Sequence, residues 1–273
     1  MITEKLNLNL DDDEIYYGSE ASWAYMGVSQ YKDFMKCEAQ ALAKLKGEWK
    51  PISDPQALLV GNYVHSYFES AEAHEKFKLM NKDAMFSSRK PYGLLKAFQV
   101  AESMIKRIEE EQLFNFIWDG EKESVVTGEL FGMDWKGKID LLNIEKGYFV
   151  DLKTTAQLDK RFWSDKYMQY VSFIEEFGYA LQIAVYERLL EQKYNKPFTG
   201  YIYAVTKQAT PDLAAIEIED MKKEFELSEL KVTIDRVFRV KNGQETPERC
   251  GHCDYCKRDK QLDDFIMASD LLR

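Results

Sequence analysis

Residues 137–155 read GKIDLLNIEKGYFVDLKTT, and this stretch decides both the fold and the site. Two runs rich in Ile, Leu, Phe and Val flank Glu145-Lys146-Gly147, the pattern of a tight β-hairpin. Residues i and i+2 of a strand share a face, so Asp151 and Lys153 project together. The hairpin lets Asp140, on its first arm, approach Asp151. Two carboxylates beside an ammonium form a hard-oxygen site for a divalent cation. Phosphodiester hydrolysis needs such a site to bind non-bridging oxygens, lower the pKa of a water and offset charge on the leaving oxygen. The same residues also read as a surface ion pair. Against that, Phe149, Val150 and Leu152 mark a strand inside a sheet, where an isolated charge is costly.

Working outward, residues 123–130, 133–144 and 147–153 read as three strands. Upstream, residues 29–46 predict a helix with Ser29 as N-cap and Gly47 beyond its end. A second helix opens at Asp54-Pro55 and runs to about residue 79, residues 81–91 form a loop, and residues 94–113 are helical again. Downstream come a charged, aromatic loop over 154–168, a long helix ending near Tyr194 and a strand at 201–206. A hairpin partner at 214–218, a helix over 222–240 and a Cys-rich tail follow. No repeat or linker divides the chain. Residues 1–20 therefore read as an acidic leader open to disorder, and 21–273 as one α/β domain. Its core lies at about 55–206, with a C-terminal helix and metal-binding tail over 220–260.

The composition of the 273 residues, 45% hydrophobic and 14% aromatic, supports a packed core and excludes disorder as the main state. No apolar run approaches the roughly 20 residues of a membrane span, and the start shows no signal-peptide pattern, so a cytoplasmic protein is expected. The net charge of −10 excludes a non-specific polyanion binder. Half of it lies in residues 1–20, where six acids face Lys5, and another acidic run spans 217–229. A DNA enzyme that carries its own cation remains compatible with this charge.

Gly137-x-x-Asp140 followed by Asp151-x-Lys153, in helix–strand–strand–strand–helix–strand order, resembles the PD-(D/E)XK nuclease superfamily. His65 in GNYVHSYFES and Gln182-x-x-x-Tyr186, one face of the following helix, make it similar to the RecB-like type. Taken alone, His65 reads as a packed core histidine and the Gln182/Tyr186 pair as the polar edge of a helix; order and spacing together carry the resemblance. It covers about residues 55–206 and implies a restriction-endonuclease-like αβββαβ core, a small mixed sheet flanked by helices. It further implies that His65, Asp140, Asp151 and the Leu152 main-chain carbonyl hold Mg²⁺, with Mn²⁺ able to substitute. Lys153 is then the catalytic cation, and Gln182 and Tyr186 position it and the DNA. Glu69 stands as a carboxylate behind these ligands, and Glu123 as a further candidate.

Cys250, Cys253 and Cys256 form C-x-x-C-x-x-C, whose spacers let thiolates converge on one metal. With Cys37 far upstream, the set resembles the iron–sulfur staple of AddB-type helicase-nucleases and of some CRISPR-adaptation nucleases. A 4Fe-4S cluster is the preferred reading. A Zn²⁺ site in which His252 replaces Cys37 and a metal-free thiol tail stay open.

In the loop over 154–168, Lys160, Arg161, Phe162, Trp163 and Lys166 interleave cations with rings, as a DNA guide would. The same pattern suits a loop docking Phe162 and Trp163 on the core. With no Walker motif, the whole is similar to phage and prophage RecE-like exonucleases. That implies a bacterial host cytoplasm, linear duplex ends as substrate, a single-strand-annealing protein as partner and a possible ring of subunits. Two rivals are a CRISPR-adaptation-type nuclease acting on single strands and a catalytically inactive DNA-binding module with a structural metal.

Overall fold

The computed structural model describes residues 8–50, 56–90, 92–262 and 264–271. Strands β1 (Glu121–Leu130), β2 (Met133–Asn143) and β3 (Tyr148–Thr155) are followed by a small hairpin, β4 (Phe162–Ser164) and β5 (Gln169–Val171). β6 (Thr199–Thr206) and β7 (Leu213–Glu217) complete a five-stranded sheet of order β1-β2-β3-β6-β7. Only β3 and β6 run parallel. Their crossover carries α10 (Phe173–Glu176) and α11 (Tyr179–Tyr194), as a parallel connection requires. The chain has the α/β architecture of the PD-(D/E)XK fold, a mixed sheet with helices on both faces.

The helices before the sheet are α1 (Asp13–Tyr16), α2 (Ser19–Ala24), α3 (Val28–Lys36), α4 (Glu38–Leu45), α5 (Gln56–Glu69), α6 (Ala71–Met80), α7 (Lys82–Met85), α8 (Lys96–Glu109) and α9 (Gln112–Ile117). After it come α12 (Asp220–Lys241) and α13 (Asp254–Lys257). No described helix is long and apolar enough to cross a membrane. One sheet face presents Leu141, Val150, Leu152, Tyr203 and Val205 to Val60 and Val64 of α5, Phe98, Met104 and Ile108 of α8 and Phe114 of α9. The other packs on α11, which is buried at eight positions from Ala180 to Leu190. β3 is buried over Phe149–Leu152, as a strand covered on both faces must be.

Two predicted helices are broken, each by a residue with a second task. The helix over 29–46 stops at Cys37, which is extended (φ −166°, ψ 106°) and starts α4. Its Sγ lies 3.6 Å from that of Cys256. The helix expected to run on from Asp54-Pro55 stops at Ser70, whose hydroxyl accepts the Ala73 N–H and starts α6. The proposed opening at Asp54-Pro55 lies outside the described residues. The loop expected over 154–168 contains β4, and the charged turn that follows leads into β5.

Where the sequence reads as one domain, contacts divide the chain into two compact units: Met1–Val28 with Asp54–Ile234, and Ser29–Ser53 with Asp235–Arg273. The second holds all four cysteines. In it the Arg236 guanidinium grips both Glu38 oxygens at 2.7 and 2.9 Å, and Glu38 accepts the Glu248 N–H. The described part of the acidic leader is folded, not loose. Leu10, Tyr16 and Ala21 form a small apolar cluster with Leu8, Ile15, Tyr25 and Val125. Two lysines of β2 hold it: Lys136 donates to the Tyr16 carbonyl, and Lys138 Nζ lies 2.6 Å from Asp13.

Gly200 of β6 sits where a Cβ would come within 2.4 Å of Phe149 and 2.7 Å of Ile183, both fully buried. Gly200→Ala is therefore expected to destabilise the fold by about 1–3 kcal/mol, read as a lower urea midpoint with an unchanged slope.

Candidate active site

β2 and β3 pair only over Leu141↔Val150, Leu142↔Phe149 and Asn143↔Tyr148. One step further along that register sets Asp140 opposite Asp151, where the strands part. There the Asp140 side chain does what main chain does elsewhere in the ladder: its Oδ2 accepts the Leu152 N–H at 2.7 Å. Its Oδ1 lies 3.4 Å from His65 Nδ1 on α5. Asp151 is 2% exposed. Its Oδ1 accepts from Gln182 Nε2 on α11 at 2.7 Å, and Lys153 Nζ lies 2.6 Å from its Oδ2. The strand parting thus brings together His65, Asp140, Asp151, Lys153 and Gln182, drawn from elements on both faces of the sheet.

Charge neighbours decide how these groups titrate. Burial opposes ionisation of His65, but the imidazole keeps 29% of its side chain exposed and the Asp140 carboxylate raises its pKa. Burial would raise Asp140, yet His65, Lys153 and the Leu152 N–H hold it below the usual carboxylate range. Asp151 is pushed up by burial, which Lys153 only partly offsets. Burial works against the Lys153 ammonium, and the two aspartates overcome it, so it stays protonated.

These residues and a cluster at the mouth line a cleft of about 860 Å³. Glu123 falls opposite Asp140 in the β1–β2 register, between the paired Lys122↔Leu141 and Ser124↔Ile139. Its backbone is left-handed (φ 51°), a strain that non-glycine residues rarely carry. Burial and the Asp140 charge push its carboxyl up to about 7. Lys138 bridges Glu123 at 3.1 Å and Asp13 at 2.6 Å. Glu69 lines the same cleft, its pKa raised by burial.

Tyr186 is placed differently from its expected role. Its ring lies against Gly137, where a Cβ would come within 2.4 Å of Cε1, and its hydroxyl meets the Lys138 main chain. The ring beneath Lys153 is that of Tyr179, 4.9 Å from Nζ, a residue that the sequence pattern did not single out. Gln182 holds Asp151 and not the lysine. Of the candidate DNA contacts in the loop, Lys166 is committed to the buried Glu226 at 2.6 Å, whereas Lys160, Arg161 and Trp163 are exposed.

The donors suit a divalent cation: the buried Asp151 carboxylate, the half-buried Asp140 carboxylate and an imidazole, with Asp151 Oδ2 buried and its one partner the Lys153 ammonium. Among the described residues, the four cysteines alone bring three or more such ligand atoms within 4.8 Å of one another. His65, Asp140 and Asp151 are not such a group, although His65 Nδ1 and Asp140 Oδ1 are 3.4 Å apart. In the second unit, Cys37, Cys250, Cys253 and Cys256 form a closed set able to bind a metal. His252 is exposed and turned to the Cys250 carbonyl at 2.7 Å.

This arrangement is that of a nuclease fold, and the comparisons agree. Residues 27–259 match the family described as a PDDEXK-like domain of unknown function (DUF3799), and the chain belongs to it. The chain is 36% identical to the crystal structure described as a "Putative exonuclease" from Eubacterium rectale, covering 95% of this chain and 97% of that one with a TM-score of 0.86. A second solved structure, SSO0001, is 15% identical over 79% of this chain and 90% of its own, with a TM-score of 0.28. No curated protein matches significantly.

The His65–Asp140 pair gives a pH prediction for the metal-free protein. A raised native imidazole pKa contributes stability that is full below about pH 6.5 and fades as pH rises through the native value; the lowered Asp140 contributes above about pH 4 and is lost below it. In Asp140→Asn the charge is gone while burial remains, so the His65 pKa is expected to fall, followed by NMR titration against the other two histidines, His74 and His252.

Proposed function

We propose that the chain is a metal-dependent deoxyribonuclease that digests linear duplex DNA from its ends. The observation that carries this reading is the meeting of His65, Asp140, Asp151, Lys153 and Gln182 where β2 and β3 part. Mg²⁺, with Mn²⁺ as substitute, would be held by His65, Asp140, Asp151 and the Leu152 carbonyl, and when bound it supplies positive charge to the phosphate and acidifies the attacking water. Lys153 keeps its proton and offers it as a hydrogen bond to a phosphate oxygen where negative charge develops. Gln182 fixes the Asp151 carboxylate, and Tyr186, packed under Gly137, holds β2 at the register that presents Asp140. Glu69 and Glu123 add acidic groups to the cleft mouth.

Exonuclease action is supported by the name of the relative from Eubacterium rectale. The finer assignment is RecE-like: end resection in a bacterial cytoplasm from a phage or prophage gene, with an annealing protein taking the single strand and subunits closing a ring. The four-cysteine set is read as an AddB-like 4Fe-4S centre. Four sulfurs leave no position for water, which favours a structural centre. The His252 geometry favours the cysteines as the complete set over a Cys₃His zinc site.

End-labelled linear duplex with Mg²⁺ is expected to be shortened progressively, and EDTA to stop it. Asp151→Ala and Lys153→Ala should each lower the rate at least about a hundredfold. Equal degradation by both variants would assign the activity to a contaminant and favour a binding module. Cutting of single strands but not of blunt duplex would favour the CRISPR-adaptation type.

Anaerobically purified protein is expected to absorb visible light through sulfur-to-iron charge transfer and to contain iron. Cys256→Ala should remove both colour and iron, whereas a colourless wild type with one bound zinc would replace the cluster by a Cys₄ site.

A further inference from the structure

We propose that the β4–β5 hairpin is the platform on which an unpaired DNA strand stacks beside the nuclease site, with Trp163 and Tyr170 taking bases and Lys160 and Arg161 taking phosphates. This rests on the nuclease reading and adds the form in which substrate meets the site. The hairpin follows the Asp151-x-Lys153 strand directly. Its pairing Phe162↔Val171 and Trp163↔Tyr170 gives it two unlike faces. Phe162 and Val171 turn inward, Val171 being buried. Trp163 and Tyr170 turn outward, 53% and 64% exposed, with centroids 5.4 Å apart and planes at 78°.

Such rings in water cost hydration free energy unless a partner covers them, and this pair is held ready for one. The Trp163 indole N–H donates to Asp165 at 2.9 Å, which fixes the ring. The turn is clamped to α12, where Lys166 and Tyr167 both reach Glu226. Rings held in place lose little conformational freedom on stacking. The occupant follows from charge: Arg161 lies 5.7 Å from the Tyr170 ring and Lys160 is exposed beside Phe162, and neither joins an ion pair among the described residues. Aromatic faces with flanking cations fit the bases and backbone of a single strand, whose rings are free to stack, and not a duplex, whose rings are already stacked.

The inward face links the platform to the chemistry. Phe162 packs on Phe177 at 5.7 Å, Phe177 on Tyr179 at 6.0 Å, and the Tyr179 ring lies 4.9 Å from Lys153 Nζ. A strand settling on the outer rings therefore presses on the elements that seat the lysine.

The test is fluorescence anisotropy of the full chain in EDTA with labelled oligothymidine and with blunt duplex of equal length. Trp163→Ala and Tyr170→Ala should each weaken single-strand binding about five- to hundredfold, Trp163→Phe should keep most of it, and duplex affinity should stay within about twofold. Lys160→Gln with Arg161→Gln should flatten the salt dependence of single-strand binding. Equal losses on both DNAs, unchanged single-strand affinity or a wild type that binds no oligothymidine would each overturn the platform. Should the alanine variants unfold by circular dichroism, the phenylalanine and glutamine variants decide. The nuclease reading fails separately, by absence of Mg²⁺-dependent cutting in the wild type.

Discussion

The Asp140 carboxylate standing in for a strand is the contact on which the site depends. A sheet that opens leaves main-chain N–H groups unpaired, and a buried unpaired N–H is costly. Here the Leu152 N–H exposed by the parting of β2 and β3 is taken by Asp140 Oδ2. The carboxylate is thereby fixed in the gap, and its other oxygen faces His65. The split in the sheet and the placement of the acid are one event: removing the side chain would undo both the local backbone pairing and the group that gathers charge around it. The catalytic candidates thus sit on strands and helices and not on a loop.

Burial next makes these charges answer to each other. Asp151 and Lys153 lie on a strand whose neighbours Val150 and Leu152 are fully covered, where a single charge would be neutralised by a pKa shift. Instead Lys153, His65 and the two aspartates form a near-neutral set. Gln182 and Tyr179 from α11 fix its geometry without adding charge. Such a set is costly relative to an apolar core of the same shape, which is the expected sign of residues kept for chemistry.

How far the sequence discloses this differs by residue. Asp140, Asp151 and Lys153 are legible because a strand has a two-residue period and a hairpin sets the register; both hold here. His65 and Gln182 are legible only through order and spacing along the chain, since nothing local distinguishes a ligand histidine on an apolar helix. The breaks at Cys37 and Ser70 are hidden because propensity favours continuing each helix, and what stops them is a sulfur contact in one case and a side-chain cap in the other. β4 and β5 are three residues each, too short for alternation to rise above chance. Tyr179 escapes notice because its role is a ring under a cation three residues before the motif glutamine. The leader's docking is carried by a few apolar residues scattered among acids, and its anchors, Lys136 and Lys138, lie on a distant strand.

The acidity of the chain then ceases to conflict with a polyanionic substrate. Part of the acidic charge is already answered: in the cleft Lys138 is shared by Asp13 and Glu123, and on α12 Glu226 is capped by Lys166 and Tyr167. At the centre of the cleft two aspartates stand with a lysine and a histidine, a set to which a divalent ion would add net positive charge. Attraction at the reacting phosphate would then depend on loading with metal, whereas Lys160 and Arg161 of the β4–β5 hairpin offer standing charge beside it. A protein so built would hold nucleic acid only where cations or a bound metal meet it, because over the rest of the surface a net charge of −10 repels it.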